Sequence, residues 1–76
     1  MDVKVYTTGT CPYCTMVKEF LTQNGVAYDE RRVDEDPDAY EEFIRLNVGR
    51  SVPVTIVDGE TVVGFDRPRI EALIRR

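Results

Sequence analysis

The sequence predicts an α/β fold with the element order βαβαββα, in which a four-stranded mixed sheet is flanked by helices. Three observations predict it: strand-like alternation in both halves of the chain, three segments with apolar residues at helical spacing, and an Asp58-Gly59 hairpin signal between the last two strands. A strand–helix–strand unit followed by a hairpin and a helix fits a single sheet covered by helices. Because the chain has 76 residues and neither a linker nor a repeat, we expect residues 1–76 to form one domain.

The first half of the chain predicts two strands joined by a helix. Val3–Thr7 alternates in the manner of a strand. Pro12 lies where proline is favoured at the start of a helix, and Asn24-Gly25 ends that helix because glycine is its usual terminator. The apolar residues at helical spacing between these limits are Val17, Phe20 and Leu21. Val26–Val33 predicts the second strand, and its charged half indicates either a sheet edge or a solvated face.

The second half predicts a helix, a hairpin and a final helix. Asp36 can cap the first of these helices, with Pro37 at its first position. Its predicted apolar stripe comprises Tyr40, Phe43 and Ile44. Val52–Val57 predicts a buried strand, and Thr61–Val63 predicts the strand that returns beside it. Asp66 is a suitable cap for the last helix, whose apolar face comprises Ile70, Leu73 and Ile74.

Composition and charge argue against two classes of protein, those that bind nucleic acid and those that span a membrane. The net charge is −4, and no basic stripe with interleaved aromatic residues is present, so the sequence does not support nucleic-acid binding. No apolar run is long enough to span a membrane. The amino-terminal segment has no pattern of a signal peptide, so we expect a cytoplasmic protein. We also expect a monomer.

The two cysteines, Cys11 and Cys14, are predicted to serve reactivity. A disulfide between them would close a very small loop and remove little entropy from the unfolded chain. Cys11 falls at the junction between the first strand and the first helix, where free N–H groups and the positive end of the helix dipole stabilise a thiolate. Cys14 lies one turn later on the same helix face, so it can resolve a mixed disulfide formed by Cys11.

Two other interpretations of the cysteine pair stay open. A structural zinc ion normally takes four cysteine or histidine ligands, and the chain has two cysteines and no histidine. No metal site within one chain is therefore expected, whereas a dimer could share zinc or an iron–sulfur cluster through the same cysteines. A non-catalytic adaptor would instead carry inert thiols.

Three short motifs give the chain a resemblance to a known family. Cys11-Pro12-Tyr13-Cys14 matches a dithiol motif, Ser51-Val52-Pro53 precedes the third strand, and Gly64-Phe65-Asp66 precedes the last helix. With these motifs the chain resembles the glutaredoxin family, which has the thioredoxin-like fold. The resemblance implies a thiol–disulfide oxidoreductase that reduces protein or glutathione mixed disulfides. It also implies that the peptide bond before Pro53 is cis, with an ordinary trans proline that opens a strand as the alternative.

The resemblance further implies a substrate surface around Cys11. The backbone of Val52, beside Pro53, would be open to a substrate peptide or to glutathione in the manner of an added strand. The implied substrate-binding residues are Thr8, Pro12, Tyr13, Arg50, Val52, Pro53, Gly64, Phe65 and Asp66. Glutathione is implied as a co-substrate, and no tightly bound cofactor is expected.

Departures from the family pattern bear on the electron source. Thr8 stands where glutathione-using members often carry a lysine, and Val63 replaces the first glycine of the usual pair. The Gly64-Phe65 turn resembles instead the glutaredoxin-like redoxins that serve ribonucleotide reductase and are reduced by thioredoxin reductase. The resemblance therefore leaves glutathione and thioredoxin reductase as alternative reductants.

Four features have a plain structural interpretation beside a functional one. Asp66 is a helix cap in one interpretation and a ligand for the α-amino group of glutathione in the other. Phe65 belongs either to the core or to the substrate surface. Lys18 is expected to be a solvated residue, with assistance to a thiolate as the alternative. The segment Asp34-Glu35-Asp36 is expected to be a solvated turn and cap and not a metal site.

Overall fold

The computed structural model describes residues 2–47, 49 and 51–75. Its elements are β1 (Val3–Thr7), α1 (Pro12–Gln23), β2 (Asp29–Arg32), α2 (Pro37–Arg45), β3 (Val54–Val57), β4 (Glu60–Val63) and α3 (Arg67–Ile74). The predicted order βαβαββα is therefore confirmed. Asp36 and Asp66 cap α2 and α3 with their side chains, as the sequence predicts.

The four strands form one mixed sheet in the order β2-β1-β3-β4. β1 runs parallel to β2, while the β1–β3 and β3–β4 pairs are antiparallel. The hairpin between β3 and β4 turns through Asp58 and Gly59, whose φ angles of 49° and 88° are both positive. A two-residue hairpin turn of this kind requires positive φ at both positions, which Asp-Gly accepts readily. The hairpin signal in the sequence is confirmed.

The sheet has a separate apolar core on each face. One core lies between the sheet and the helices α1 and α3, and its buried members are Val3, Val5, Val17, Phe20, Leu21, Val57, Val62, Ile70 and Leu73. The other core lies under α2 and is smaller, with Tyr6, Phe43 and Val54 as its buried members. Because α1 is buried along one side against the larger core, its amino terminus is fixed at the end of β1.

The second strand is shorter than the sequence predicts. β2 begins at Asp29, whereas the alternation predicts a strand from Val26. The N–H of Val26 donates to the carbonyl of Leu21 at 2.9 Å, and the N–H of Gly25 donates to Thr22 at 3.0 Å. These two bonds, with Gly25 at φ 70°, form the Schellman motif that ends α1. Val26 is therefore committed to the helix end and cannot enter the strand pairing.

Two further element predictions are corrected. The stripe predicted for α2 includes Tyr40 and Ile44, but both are exposed, at 48% and 45%, while Ala39 and Phe43 are buried. Residues 39 and 43 are four apart and share the helix face that meets the sheet, which turns residues 40 and 44 toward solvent. β3 begins at Val54 and not at residue 52, since Pro53 has no N–H to donate to a strand partner.

Candidate functional site

Cys11 lies at the point where the chain enters α1. It is the N-cap residue, with an extended backbone of φ −100° and ψ 109°. Its Sγ accepts a hydrogen bond of 3.2 Å from the backbone N–H of Cys14. Pro12 occupies the first helical turn, where its missing N–H removes no helical bond. A sulfur atom in this position takes the place of the usual capping oxygen and faces the positive end of the helix dipole.

The two sulfur atoms differ in exposure. Cys11 is partly exposed, whereas Cys14 is 1% exposed. Burial, followed by the hydrogen bond with Cys11, raises the pKa of Cys14 to about 12. A backbone hydrogen bond from Thr8 acts in the opposite direction on that pKa. At neutral pH the structure therefore presents one accessible sulfur and, behind it, one buried thiol.

The segment around Pro53 lies directly beside Cys11. The Val52–Pro53 peptide bond is cis, as the resemblance implies. The Cys11 thiol donates to the carbonyl of Val52 at a sulfur–oxygen distance of 3.6 Å. Pro53 is fully buried, and its carbonyl accepts a hydrogen bond of 2.8 Å from the N–H of Gly64. The cysteine motif, the Val52-Pro53 segment and the turn before α3 thus meet at one end of the sheet.

The remaining predicted site residues have different environments. Tyr13 is 59% exposed beside the cysteines. Phe65 packs against the larger core, with its ring centroid 6.3 Å from that of Phe20 in an edge-on arrangement. The carboxylate of Asp66 accepts from the N–H of Arg69 at 3.4 Å, so this residue caps α3. Arg50 lies outside the described residues.

Two carboxylates make hydrogen bonds near the site, although the sequence alone predicts only that they are charged surface residues. Glu30 accepts hydrogen bonds from the buried hydroxyl of Thr7 at 2.7 Å and from Lys18 at 2.9 Å. Asp34 accepts from the backbone N–H of Gly9 at 2.9 Å, in the loop that leads to Cys11. In the sequence both residues lie among other charged residues, at positions 29–36, so neither role is distinguished from that of a surface charge.

Two classes of feature are absent from the part of the chain that the structure describes. Among residues 2–47, 49 and 51–75, no group of three or more His, Cys, Asp or Glu side chains is placed to hold a metal ion. None of the helices in the same residues has the length and apolar character needed to cross a membrane.

Comparison with known proteins identifies the family. The family model described as Glutaredoxin matches residues 3–62. The chain belongs to the glutaredoxin family. This glutaredoxin is 49% identical over 63 residues to a glutaredoxin of Neisseria meningitidis, a match that covers 82% of the chain and 73% of that relative. It is 35% identical over 74 residues to a glutaredoxin-like 8.6 kDa protein from the rubredoxin operon of Clostridium pasteurianum, with 97% and 99% covered.

A solved structure has the same fold at similar length. NrdH-redoxin from Escherichia coli, a glutaredoxin-like protein with a thioredoxin-like activity profile, superposes with a TM-score of 0.84 at 29% identity. The match covers 96% of this glutaredoxin and 95% of that protein. The fold is therefore thioredoxin-like, as the resemblance implies, and the chain is a thiol–disulfide oxidoreductase.

Proposed function

We propose that this glutaredoxin reduces protein or glutathione mixed disulfides in two steps, with Cys11 as the attacking residue and Cys14 as the resolving residue. The observation that carries the assignment is the asymmetry of the pair. Cys11 is partly exposed and caps α1, while Cys14 is buried behind it and donates its backbone N–H to Cys11 at 3.2 Å. Only the first sulfur is accessible to a substrate disulfide.

The exchange balances in sulfur, electrons and protons. The Cys11 thiolate attacks one sulfur of the substrate disulfide, and the other substrate sulfur leaves as a thiolate that takes up a proton. Cys14 then loses its proton and attacks Cys11 Sγ, which releases the second substrate thiol. The product is reduced substrate together with a Cys11–Cys14 disulfide, so each turnover needs a reductant that supplies two electrons.

The proposed substrate surface surrounds Cys11. Tyr13 supplies an exposed aromatic ring, and the Val52-Pro53 segment supplies backbone beside the sulfur. The turn at Gly64, which is bonded to Pro53, brings Phe65 and Asp66 to the same end of the molecule. We assign substrate contacts to the residues that the resemblance implies, namely Thr8, Pro12, Tyr13, Arg50, Val52, Pro53, Gly64, Phe65 and Asp66.

For the electron source we favour thioredoxin reductase over glutathione. Thr8 and Val63 depart from the pattern of glutathione-using members, and NrdH-redoxin, which has a thioredoxin-like activity profile, is similar over nearly the whole chain. Ribonucleotide reductase is then a candidate target, and the reducing cytoplasm is the compartment in which a transient catalytic disulfide is expected.

Serine variants of the two cysteines test the assignment. Cys14→Ser is expected to accumulate a mixed disulfide with a model protein disulfide, while Cys11→Ser is expected to be inactive. The trapped adduct is measured by mass spectrometry and the activity by substrate reduction. Disulfide reduction by Cys11→Ser at the wild-type rate would refute the assignment.

A second measurement identifies the reductant. The oxidised protein is offered NADPH with thioredoxin reductase, or NADPH with glutathione and glutathione reductase, and NADPH consumption is followed. Faster turnover with thioredoxin reductase is expected. Turnover only with glutathione would leave the two cysteine roles intact and reverse the choice of electron source.

A further inference from the structure

A charged cluster lies beside the buried cysteine. Lys18 is four residues beyond Cys14 on α1, so the two side chains share a helix face. The Lys18 ammonium contacts the carboxylate of Glu30 on β2 at 2.9 Å. The same carboxylate oxygen accepts from the hydroxyl of Thr7, which is fully buried on β1, at 2.7 Å. Glu30 is therefore held from the sheet, and it fixes the ammonium of Lys18, a residue one helical turn beyond Cys14.

The Lys18–Glu30 ion pair is expected to add little to the stability of the fold. The Lys18 and Glu30 side chains are 29% and 32% exposed, and ion pairs at such positions contribute little to stability because solvent screens them. The cluster nevertheless bears on Cys14, since burial raises the pKa of that thiol and the positive charge of Lys18 acts in the opposite direction.

The other groups that face the cluster come from three parts of the chain. Cys11 lies at the start of the same helix and opposes ionisation of Cys14. Glu30 on β2 and Tyr28 before it raise the pKa of Lys18. Arg32 on β2 contributes to lowering the pKa of Glu30, after Lys18 and Thr7.

We propose that Lys18, held in place by Glu30, is a positioning residue that speeds the resolving step by stabilising the Cys14 thiolate. The inference rests on the two-step exchange proposed above. In that step the Cys14 thiol gives its proton to water, its sulfur bonds to Cys11 Sγ, and the substrate sulfur leaves with the electron pair and takes up a proton. Lys18 keeps its own proton throughout and acts only through its charge.

The test separates the attack by Cys11 from the resolution by Cys14. Reduced protein is mixed rapidly with an aromatic disulfide such as Ellman's reagent, and the coloured aromatic thiolate appears in two phases. The first phase reports the attack by Cys11, and the second reports displacement by Cys14. We expect Lys18→Gln to slow the second phase about three- to tenfold at neutral pH, since a change of one pKa unit changes the thiolate population about tenfold. The pH profile of that phase should move to higher pH, and the first phase should not change.

Three variants make the result specific to the charge at this position. Lys18→Arg keeps the charge and should restore the second phase. Lys18→Met keeps the unbranched stem, removes the charge and should slow that phase as Lys18→Gln does. Lys4→Gln removes the same charge from the other face of the sheet, where Lys4 lines a groove with Tyr6 and Glu42, and should leave both phases unchanged.

The outcomes distinguish the two proposals. Equal second phases in wild type, Lys18→Gln and Lys18→Met would overturn the role of Lys18, as would equal slowing by Lys4→Gln. Release of only one equivalent of aromatic thiolate by the wild type, or release by Cys11→Ser as fast as the first phase of the wild type, would instead overturn the two-step exchange. Thermal unfolding of each variant establishes that the kinetics are those of folded protein.

Discussion

The carboxylate of Asp34 accepts a hydrogen bond of 2.9 Å from the backbone N–H of Gly9, which ties the loop before Cys11 to the segment after β2. Arg32 holds the same carboxylate through two contacts, Nε to Oδ1 and Nη2 to Oδ2, each of 2.9 Å. Such two-point pairing of a guanidinium with a carboxylate fixes orientation as well as distance. The ionised side chain of Asp34 therefore helps to fix the position of the cysteine loop.

Replacing Asp34 is expected to remove a pH-dependent contribution to stability. Arg32, followed by the Gly9 N–H, lowers the pKa of Asp34 from 3.8 to about 2. Because the folded-state pKa is depressed, the contribution is fully present above the ordinary pKa and is lost as pH falls through about 2. Asp34→Asn should therefore be less stable than wild type at neutral pH, and the difference should shrink between about pH 4 and about pH 2.

Urea unfolding across this pH range measures the effect of Asp34→Asn. Glu35→Gln is the matched control, because Glu35 also contacts Arg32, at 3.3 Å, but its side chain is 69% exposed. The control should change stability little at any pH. A stability difference for Asp34→Asn that stays constant down to pH 2 would contradict the role assigned to its charge.

Gly9 is expected to tolerate a methyl group only if Arg32 moves. A Cβ at this position would lie 2.5 Å from Nη2 of Arg32, at the far end of a flexible side chain. Gly9→Ala should therefore displace the guanidinium from Asp34 and cost less than about 1 kcal/mol of unfolding free energy. In an Arg32→Ala background, Gly9→Ala should not lower the free energy of unfolding any further. A double-mutant cycle therefore measures the coupling between positions 9 and 32. If Gly9→Ala lowered the free energy of unfolding equally in the two backgrounds, the Arg32 side chain would not be what opposes the methyl group.

Local signals in the sequence predict where the helices begin. Cys11 with Pro12 marks the start of α1, and Asp36 with Pro37 marks the start of α2, because a cap and a first-turn proline act within a few residues. The hairpin at Asp58 belongs to the same class of signal. Each of these features depends on chain neighbours alone.

Features that depend on packing were not predictable in the same way. The exposure of Tyr40 and Ile44 follows from how α2 is rotated on the sheet, which the helical period alone leaves open. The contact of Glu30 with Thr7 and Lys18 depends on the parallel register of β1 and β2 and on the seating of α1. No pattern within a single segment specifies such a register.

Two buried threonines are expected to respond in opposite directions to valine. Both Thr7 and Thr55 are fully buried. The Thr7 hydroxyl donates to Glu30 at 2.7 Å, whereas the Thr55 hydroxyl has no hydrogen-bond partner within the described part of the chain. Thr55→Val removes an unpaired buried hydroxyl and should stabilise the protein by about 1 kcal/mol, while Thr7→Val should destabilise it by about the same amount. Thermal unfolding of this matched pair measures both effects, and a loss of stability in Thr55→Val would contradict the prediction.

The burial of Cys14 predicts that it is inert until a mixed disulfide has formed. In Cys11→Ser, Cys14 is the sole thiol, and burial, the main cause that raises its pKa to about 12, is unchanged. Its alkylation by iodoacetamide at neutral pH should be at least about a hundredfold slower in folded protein than in urea, since the thiolate is the reactive form. Cys14→Ser, which keeps the partly exposed Cys11, is the comparison and should react rapidly when folded. Rapid alkylation of folded Cys11→Ser would mean that the second sulfur is accessible without a substrate, and the order of attack and resolution would lose its structural basis.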